Sequence, residues 1–403
     1  MNHVTRRAGT LLAGVAMLVS LPVSAQPKGV PAPVAEAVPS AIGYVPHDKV
    51  EEGIWLEMEE QERDLKRSRF VIQDPALNAY VREVLCRTVG TERCGAARIY
   101  LMRTPYFNAN MAPNGMMQVW SGLLLRCRNE AQLAAILGHE FTHFERQHTL
   151  KQFKDVKSRI DTASWLSFLP YGVGLIAQIG VLGGAFSYSR DMEREADRLG
   201  VEEMVRAGYD PREAMKIWQQ LGAEMDETAR VRGTKSRKDK NGGFFATHPK
   251  TSERMETLAM QSSHVMQDAV VKPVANEAEY HAALNSWWPD FVDDQIKLND
   301  FGGTEFVLGM LASDGWTPDL LYARGELYRT RGREGDFAKA VEFFQQAVTR
   351  AGAPVQTWRG LGLARLRLGQ GEEGSTALKE YLRLAPDAKD ATIIGTIIGG
   401  TGI

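Results

Sequence analysis

The segment His139-Glu140-Phe141-Thr142-His143 constrains this 403-residue chain more than any other feature. It follows Glu130 to Gly138, a run of helix formers with apolar residues at helical spacing, so we predict that it lies on a helix. Residues four apart on a helix are offset by about 40°, so both imidazoles project from one face with Glu140 beside them. The two histidines can bind Zn²⁺ through neutral ring nitrogens, and Glu140 can act as the general base. A chance match of a short motif is the alternative.

A zinc site of this kind needs a third protein ligand. His148 lies nine residues after His139, about 180° around a continuing helix, so we predict a structural or surface residue rather than a ligand. The segment from Ser189 to Gly200 offers carboxylates instead, with Glu193 and Asp197 four apart on a predicted helix. One carboxylate can bind metal while the other orients a ligand histidine. A solvated, ion-paired helix face is the alternative, which the upstream histidine pair disfavours.

These two motifs together resemble the zinc metallopeptidase family that includes the CAAX prenyl endopeptidases and a heat-shock membrane protease. The resemblance implies a mainly α fold, in which a zincin-type domain has a small β-sheet beside the active-site helix, and one Zn²⁺ per chain. It also implies that Glu140 activates the water and that Asp197 supports a ligand. The implied zinc ligands are His139, His143 and Glu193.

The segment from Phe107 to Gly115 resembles the strand and turn that hold substrate in this family. The resemblance therefore implies that the segment from 108 to 120 binds substrate as an added strand. The implied substrate-binding residues are Asn108, Ala109, Met111 and Asn114.

His248 is a further candidate, because the same His-Pro segment in bacterial periplasmic members of the family can occupy the fourth zinc position. The resemblance thus implies that His248 regulates the zinc and keeps the resting enzyme latent. A turn histidine with local hydrogen bonds, or one that stabilises the tetrahedral intermediate, is the alternative. Pro249 marks a turn, and we predict that a helix begins at Thr251 or Ser252.

The N-terminus predicts export. Arg6 and Arg7 precede an uncharged run from Ala8 to Pro27, which contains small residues at 23–25. We therefore predict a secretory signal peptide that is cleaved after Ala25, and a periplasmic location. An uncleaved membrane anchor is the alternative, for which the apolar core is short.

Three cysteines are interpreted in the light of that oxidising compartment. Cys86 and Cys94 flank a polar turn, so we predict a disulfide between them, while Cys127 is left over. A zinc site without the usual paired spacing and buried free thiols are the alternatives.

No charged residue lies between Thr162 and Ser189, a stretch long enough to span a bilayer. Pro170 and five glycines between 172 and 184 weaken a simple helix, and a single crossing would separate the two metal motifs. We therefore expect a buried helical hairpin or an apolar loop over the cleft. Contact of residues 163–187 with a membrane surface is the alternative.

The C-terminal region contains a repeat with the 34-residue period of tetratricopeptide units, since Phe344 and Ala347 precede Leu378 and Tyr381 by that interval. Such helix pairs stack and leave a groove for partners, so Phe344, Trp358 and Tyr381 should be buried. The repeats should dock on helices near Trp287 and Trp288. An ordinary helical hairpin subdomain is the alternative. Helices are also predicted from Val50 to Phe70 and, after Asp74-Pro75, to about Val89.

The predicted organisation is a signal peptide (1–25), a linker (26–44), a zinc metallopeptidase domain (45–265), a connecting helical region (266–317), a tetratricopeptide-repeat domain (318–390) and a tail (391–403). A net charge of −2 gives no electrostatic signature of nucleic-acid binding. The resemblance implies a zinc endopeptidase that hydrolyses misassembled outer-membrane or envelope proteins, with the barrel-assembly machinery as partner of the repeats. The alternative is a mostly latent protease that acts as a chaperone or adaptor.

Overall fold

The computed structural model describes residues 42–159, 188–236, 248, 252–267 and 272–400. The predicted signal peptide, nearly all of the linker and the apolar segment 163–187 lie outside these residues. Among the described residues, none of the helices combines the length and the apolar character that crossing a membrane requires.

Two capped helices open the described chain where the sequence predicts them. α1 (Lys49–Arg67) begins after Asp48, whose carboxylate accepts hydrogen bonds from the first free backbone N–H groups of the helix. α2 (Pro75–Val89) begins after Asp74 in the same way and has proline in its first turn. The short α3 (Thr91–Cys94) follows, and a disulfide joins Cys86 in α2 to Cys94.

A three-stranded sheet contains β1 (Arg98–Met102), β2 (Ala109–Met111) and β3 (Met116–Trp120) in the order β1-β3-β2. β1 is parallel to β3, and β2 is antiparallel to β3 with Ala109 opposite Val119. Gly115 in the β2–β3 turn has φ +89°, and a Cβ there would lie 2.3 Å from the Ala96 carbonyl oxygen. The predicted strand and turn between 107 and 115 are thus present.

The centre of the fold is a buried helix. After α4 (Ser121–Arg126), α5 (Glu130–Glu145) carries the histidine motif, and every residue from Glu130 to Phe144 is buried. A helix that is enclosed on all sides must be covered by neighbouring elements, which here include α2, β2, α7 (Arg190–Arg206) and α8 (Glu213–Arg232). α6 (His148–Arg159) follows α5 after a short turn.

The remaining helices extend the same core toward the C-terminus. They are α9 (Ser252–Gln267), α10 (Glu277–Leu284), α11 (Trp288–Ile296), α12 (Phe301–Leu311), α13 (Pro318–Arg331), α14 (Asp336–Val348), α15 (Gln356–Arg367), α16 (Gly371–Leu384) and α17 (Ala391–Gly400). Leu320 and Leu327 of α13 pack in one core cluster with Phe291 of α11. Docking beside Trp287 and Trp288 is therefore confirmed, as is the mainly α fold with a small sheet.

The four helices from α13 to α16 form two antiparallel pairs that stack through close glycine contacts. A Cβ at Gly325 or Gly360 would lie 2.5 Å from the ring of Phe344, so both glycines allow this ring to fill the interface. Phe344 and Tyr381 are buried as predicted. The prediction for Trp358 is wrong, because this side chain, in the first turn of α15, is only partly buried: it packs against the clusters around Phe344 and around Tyr381 without being enclosed by them.

Candidate metal centre

The histidine motif lies in the second half of α5, which Asn129 caps through a hydrogen bond from the backbone N–H of Gln132 (2.9 Å). Helical spacing brings the Nε2 atoms of His139 and His143 to 3.1 Å from each other, and both side chains are buried. Two unprotonated nitrogens facing each other at this distance repel, so the pair requires a proton or a cation between the rings.

α7 supplies a carboxylate to the same point. Ser189 caps this helix, and Glu193 in its first turn is buried with Oε1 3.6 Å from His143 Nε2 and Oε2 3.7 Å from His139 Nε2. His248 approaches from the other side, with Nδ1 3.0 Å from Glu193 Oε1 and 3.3 Å from His139 Nε2. Hereafter, these four residues, His139, His143, Glu193 and His248, are called the metal cluster.

The separations in the metal cluster fit a tetrahedral ion. Ligand atoms at about 2.0–2.1 Å from Zn²⁺ in a tetrahedral arrangement lie about 3.3 Å from one another. The five distances between potential ligand atoms given above range from 3.0 Å, between Glu193 and His248, to 3.7 Å, between His139 and Glu193. The cluster therefore has the donor set and the spacing of a metal site. It contains one protein ligand more than a catalytic zinc site usually has.

Asp197 and Arg254 support the side of the cluster that contains His139. Asp197 Oδ1 lies 3.1 Å from His139 Nδ1, and the Arg254 guanidinium donates two hydrogen bonds of 2.7 Å to the Asp197 carboxylate. Arg254 also forms an ion pair with Glu193. Burial raises the pKa of each carboxyl, but interaction with Arg254 in the case of Asp197, and with His248 and Arg254 in the case of Glu193, leaves both pKa values below their usual range. Both groups are therefore anionic at neutral pH.

His143 is supported by different residues. Its Nδ1 lies 3.0 Å from His148 Nδ1, and His148 Nε2 lies 3.2 Å from Glu195 Oε2. The ring of Tyr188 stacks on His143 with centroids 3.8 Å apart. Burial lowers the pKa of His143 well below its usual value and that of His148 to about 4, so both rings are neutral at pH 7. A neutral imidazole is the form that binds metal.

The geometric reason given for excluding His148 is wrong, although the residue is indeed not part of the metal cluster. That reasoning assumed a continuing helix, whereas α5 ends at Glu145 and α6 begins at His148. Gln147 between them has φ 55°, which reverses the chain and returns His148 to the outer face of His143. A non-glycine residue at positive φ has no signal in the sequence.

Arg254 and Tyr188 contact the cluster but were not identified from the sequence. Arg254 lies two residues inside α9, which begins at Ser252 as predicted, and nothing local distinguishes its charge from that of an exposed helix residue. It is buried beside Glu193 and Asp197 because of how α9 packs on α7, which the sequence around Arg254 does not show. The sequence signal for Tyr188 is its place at the end of the uncharged stretch, directly before the cap residue Ser189.

Glu140 lies beside the cluster, fully enclosed. Burial raises the pKa of its carboxyl to about 8, close to the pH at which a general base is most effective. Its Oε1 accepts no hydrogen bond from any of the described residues and lies 3.5 Å from His248 Nε2. An acceptor without a partner is costly in a buried position, so this oxygen is suited to a group that enters during the reaction.

The predicted substrate residues lie on and around β2, next to α5. The side chains of Ala109 and Met111 are buried in the core, so they can contact a substrate only through their backbone. Asn114 is used within the turn, where its Oδ1 accepts a hydrogen bond from the Met116 N–H and its Nδ2 lies 3.4 Å from Glu62 Oε2. Asn108 is partly exposed, and its carbonyl accepts a bond from the Trp120 N–H.

Comparison with known proteins gives consistent matches. Residues 71–262 match peptidase family M48. The β-barrel assembly-enhancing protease of Yersinia pestis is 24% identical over 256 residues, which cover 58% of this chain and 50% of that protein. The protein of the same name in Escherichia coli is 24% identical over 261 residues, covering 59% and 51%. The mitochondrial metalloendopeptidase OMA1 of Saccharomyces cerevisiae is 31% identical over 156 residues, covering 38% and 42%.

The matched region contains every predicted catalytic and metal-binding residue, including His139, His143, Glu193 and His248. The chain spans about half of the length of these relatives, so the match describes a domain. Because both the sequence match and the buried donor set point to the same chemistry, residues 71–262 of this chain are a metallopeptidase domain of family M48.

Proposed function

We propose that this chain is a zinc-dependent endopeptidase of the bacterial periplasm that hydrolyses misassembled outer-membrane or envelope proteins. The observation that supports peptidase chemistry is the position of Glu140, whose buried Oε1 lies beside the metal cluster and accepts no hydrogen bond from the described residues. His139, His143 and Glu193 would hold the zinc ion. When bound, Zn²⁺ supplies Lewis-acid chemistry, because it polarises the scissile carbonyl and lowers the pKa of a water molecule.

The side chains of this domain have distinct tasks in that reaction. Glu140 accepts the proton of the attacking water and then delivers it to the leaving amine nitrogen, which completes hydrolysis without a further acid. Asp197 accepts the hydrogen bond of His139 Nδ1, which fixes the ring so that Nε2 faces the cluster. Arg254 balances the charge of Asp197 and Glu193, so that two carboxylates remain ionised in a buried site.

β2 is a suitable place for an extended substrate. It is at one edge of the sheet, and among the described residues β3 is the only strand that pairs with it. A substrate segment that adds to this edge would lie along α5, with its backbone hydrogen-bonded to β2 rather than to side chains. Such binding depends little on sequence and is suited to unfolded chains.

Glu140→Gln tests the proposal directly. The amide preserves shape and leaves all four cluster residues unchanged, so we expect zinc to bind as in the parent while hydrolysis of an unfolded protein such as casein falls by about 100-fold or more. Glu202→Gln, at a partly exposed position of α7 outside the metal cluster, is the matched control. Hydrolysis at the parent rate by Glu140→Gln, with zinc bound, would refute the role of Glu140.

A second candidate function is supported by the position of His248. Its Nδ1 takes the fourth corner of the metal cluster while its Nε2 faces Glu140, so one ring covers both the open metal position and the base. A resting enzyme in this form would be latent. We propose that the protein then acts mainly as an adaptor whose C-terminal helix pairs, as tetratricopeptide repeats, bind the barrel-assembly machinery. Survival of the cellular role in Glu140→Gln would favour the adaptor over the protease.

His248→Ala tests latency. Removal of the ring opens the fourth position, so we expect the rate of casein hydrolysis and of self-cleavage to rise several-fold while zinc remains bound by three residues. His264→Ala, at an exposed position in α9, is the control. A fall in rate with zinc retained would instead make His248 a group that stabilises the transition state.

A further inference from the structure

The two histidines of α5 face the metal cluster in the same way but have different supports behind them. His139 Nδ1 lies 3.1 Å from the carboxylate of Asp197, which is the usual partner of a metal-bound imidazole. His143 Nδ1 lies 3.0 Å from another imidazole nitrogen, Nδ1 of His148. The carboxylate on this side, that of Glu195, is one residue further away, at 3.2 Å from His148 Nε2.

The positions of the protons in this chain follow from the metal cluster. If His143 uses the lone pair of Nε2 for metal, its proton is on Nδ1 and is donated to His148. His148 Nδ1 must then be unprotonated, so its proton is on Nε2, and among the described residues Glu195 accepts it. Each ring nitrogen of His143 and His148 is therefore either a donor or an acceptor. Binding of metal at His143 and donation to Glu195 require the same tautomer of His148.

Backbone geometry and charge hold this chain in place. The turn at Gln147, with φ 55°, places His148 at the first position of α6, against α5 and α7. Glu195 is fixed by Arg146, whose Nε lies 3.1 Å from Oε1, and it remains partly exposed. His148 is 1% exposed, and an apolar residue of similar volume would fill this place at lower cost in desolvation. A histidine with both nitrogens partnered indicates a role in hydrogen bonding.

We propose that His148 is the positioning residue for the zinc ligand His143 and that Glu195 orients it, as a carboxylate–imidazole–imidazole relay that replaces a direct carboxylate. The proposal rests on the zinc site proposed above. The relay fixes the tautomer and the ring orientation of His143. Its loss should weaken metal binding, since partners of this kind contribute about 10- to 100-fold to metal affinity.

Three substitutions at position 148 separate hydrogen bonding from packing. Asparagine places Oδ1 near the place of histidine Nδ1 and can accept the bond from His143, whereas glutamine places its amide near Nε2 and leucine fills space without polar atoms. We expect the dissociation constant for Zn²⁺, measured by chelator competition, to stay within about threefold of the parent for His148→Asn. It should rise about 10- to 100-fold for His148→Leu and His148→Gln.

A packing role predicts the opposite order, because asparagine is the smallest of the three and leaves the largest cavity. Zn²⁺ affinity that is weakest in His148→Asn, or equal in all three variants, would overturn the proposal. The absorption spectrum of bound Co²⁺ gives a second readout that reports ligand orientation without activity. It should match the parent in His148→Asn and differ in His148→Leu.

Glu195 allows the same test at a partly exposed position. Glu195→Gln keeps an oxygen that accepts from His148 Nε2 and should retain Zn²⁺ affinity, while Glu195→Ala should weaken it. Glu202→Ala on α7 controls for the loss of surface charge. Equal affinity in Glu195→Ala and Glu202→Ala would refute the relay. A parent protein that binds no Zn²⁺ would instead refute the proposed function.

Discussion

The distance between α5 and α7 determines whether Glu193 reaches the two histidines of the metal cluster. Two glycines, one on each helix, determine this distance. Gly138 of α5 and Gly200 of α7 face each other across the two helices. A Cβ at Gly200 would lie 3.4 Å from the backbone nitrogen of His139 and 3.6 Å from its Cα. An alanine methyl fits there at ordinary contact distance. The two further methyls of valine extend about 1.5 Å beyond Cβ, into space that the backbone of α5 fills.

We predict that Gly200→Val displaces α7 by about 1 Å and lowers the free energy of unfolding by about 1–3 kcal/mol. A shift of this size would lengthen the 3.1 Å contact between His139 Nδ1 and Asp197 Oδ1 beyond hydrogen-bonding distance. It would also move Glu193 away from the histidine pair. Loss of one supporting partner weakens metal binding by about 10- to 100-fold, so Zn²⁺ affinity should fall at least that far.

The assay combines urea unfolding of the metal-free protein with Zn²⁺ affinity by chelator competition. Gly309→Val in α12 is the matched control, because a Cβ at this helical glycine has no heavy atom within 4 Å. Gly200→Ala should bind Zn²⁺ normally and gain up to about 1 kcal/mol in helix propensity. Equal Zn²⁺ affinity in Gly200→Val and Gly309→Val would show that the contact of Gly200 with α5 does not determine the geometry of the metal cluster.

Two further predictions concern regions away from the metal. The hydrogen bonds from Arg98 lower the pKa of the Glu62 carboxyl to about 2, so the pair stabilises the fold above about pH 4.5 and this contribution is lost as pH falls through about 2. Glu62→Gln should lower the free energy of unfolding by only about 1 kcal/mol at pH 7, because Arg98 is exposed and water screens the ion pair. In urea titrations, the difference between variant and parent should shrink toward pH 2. Gly360→Ala places a methyl 2.5 Å from the Phe344 ring and should destabilise the C-terminal helix pairs by about 1–3 kcal/mol with Zn²⁺ affinity unchanged, whereas Gly395→Ala, in open space, should not. Weaker Zn²⁺ binding in Gly360→Ala would show that the metal cluster depends on the C-terminal helix pairs, contrary to this prediction.

Local rules predicted the elements on which the site is built. The sequence predicted that a helix restarts at Asp74-Pro75, and α2 begins there with Asp74 as its cap. Four-residue spacing predicted that Glu193 and Asp197 share a face, and the two carboxylates do face the same histidine from successive turns of α7. These inferences succeeded because they depend only on helix periodicity.

The wrong predictions concern two features that local patterns do not show: where the chain reverses, and which distant residues cover a side chain. His148 was placed by assuming that α5 continues, but Gln147 at positive φ ends it without a glycine or proline to signal the stop. Trp358 was assigned to a buried position from its place in a repeat, yet burial depends on what lies over the first turn of α15. Neither fact is encoded within one helical turn of the residue concerned.

Arg254 shows most clearly where local reasoning ends. The sequence predicts the start of α9 within one residue, but it does not show that the third residue of this helix faces two buried carboxylates on α7. The charge balance nevertheless implies such a partner. Asp197 and Glu193, both buried and four residues apart, repel each other and are costly to ionise in the absence of a nearby cation. Zn²⁺ compensates Glu193 only once it is bound, so a Glu193 that is ionised before metal binds needs another cation, and the packing of α9 on α7 supplies it as Arg254.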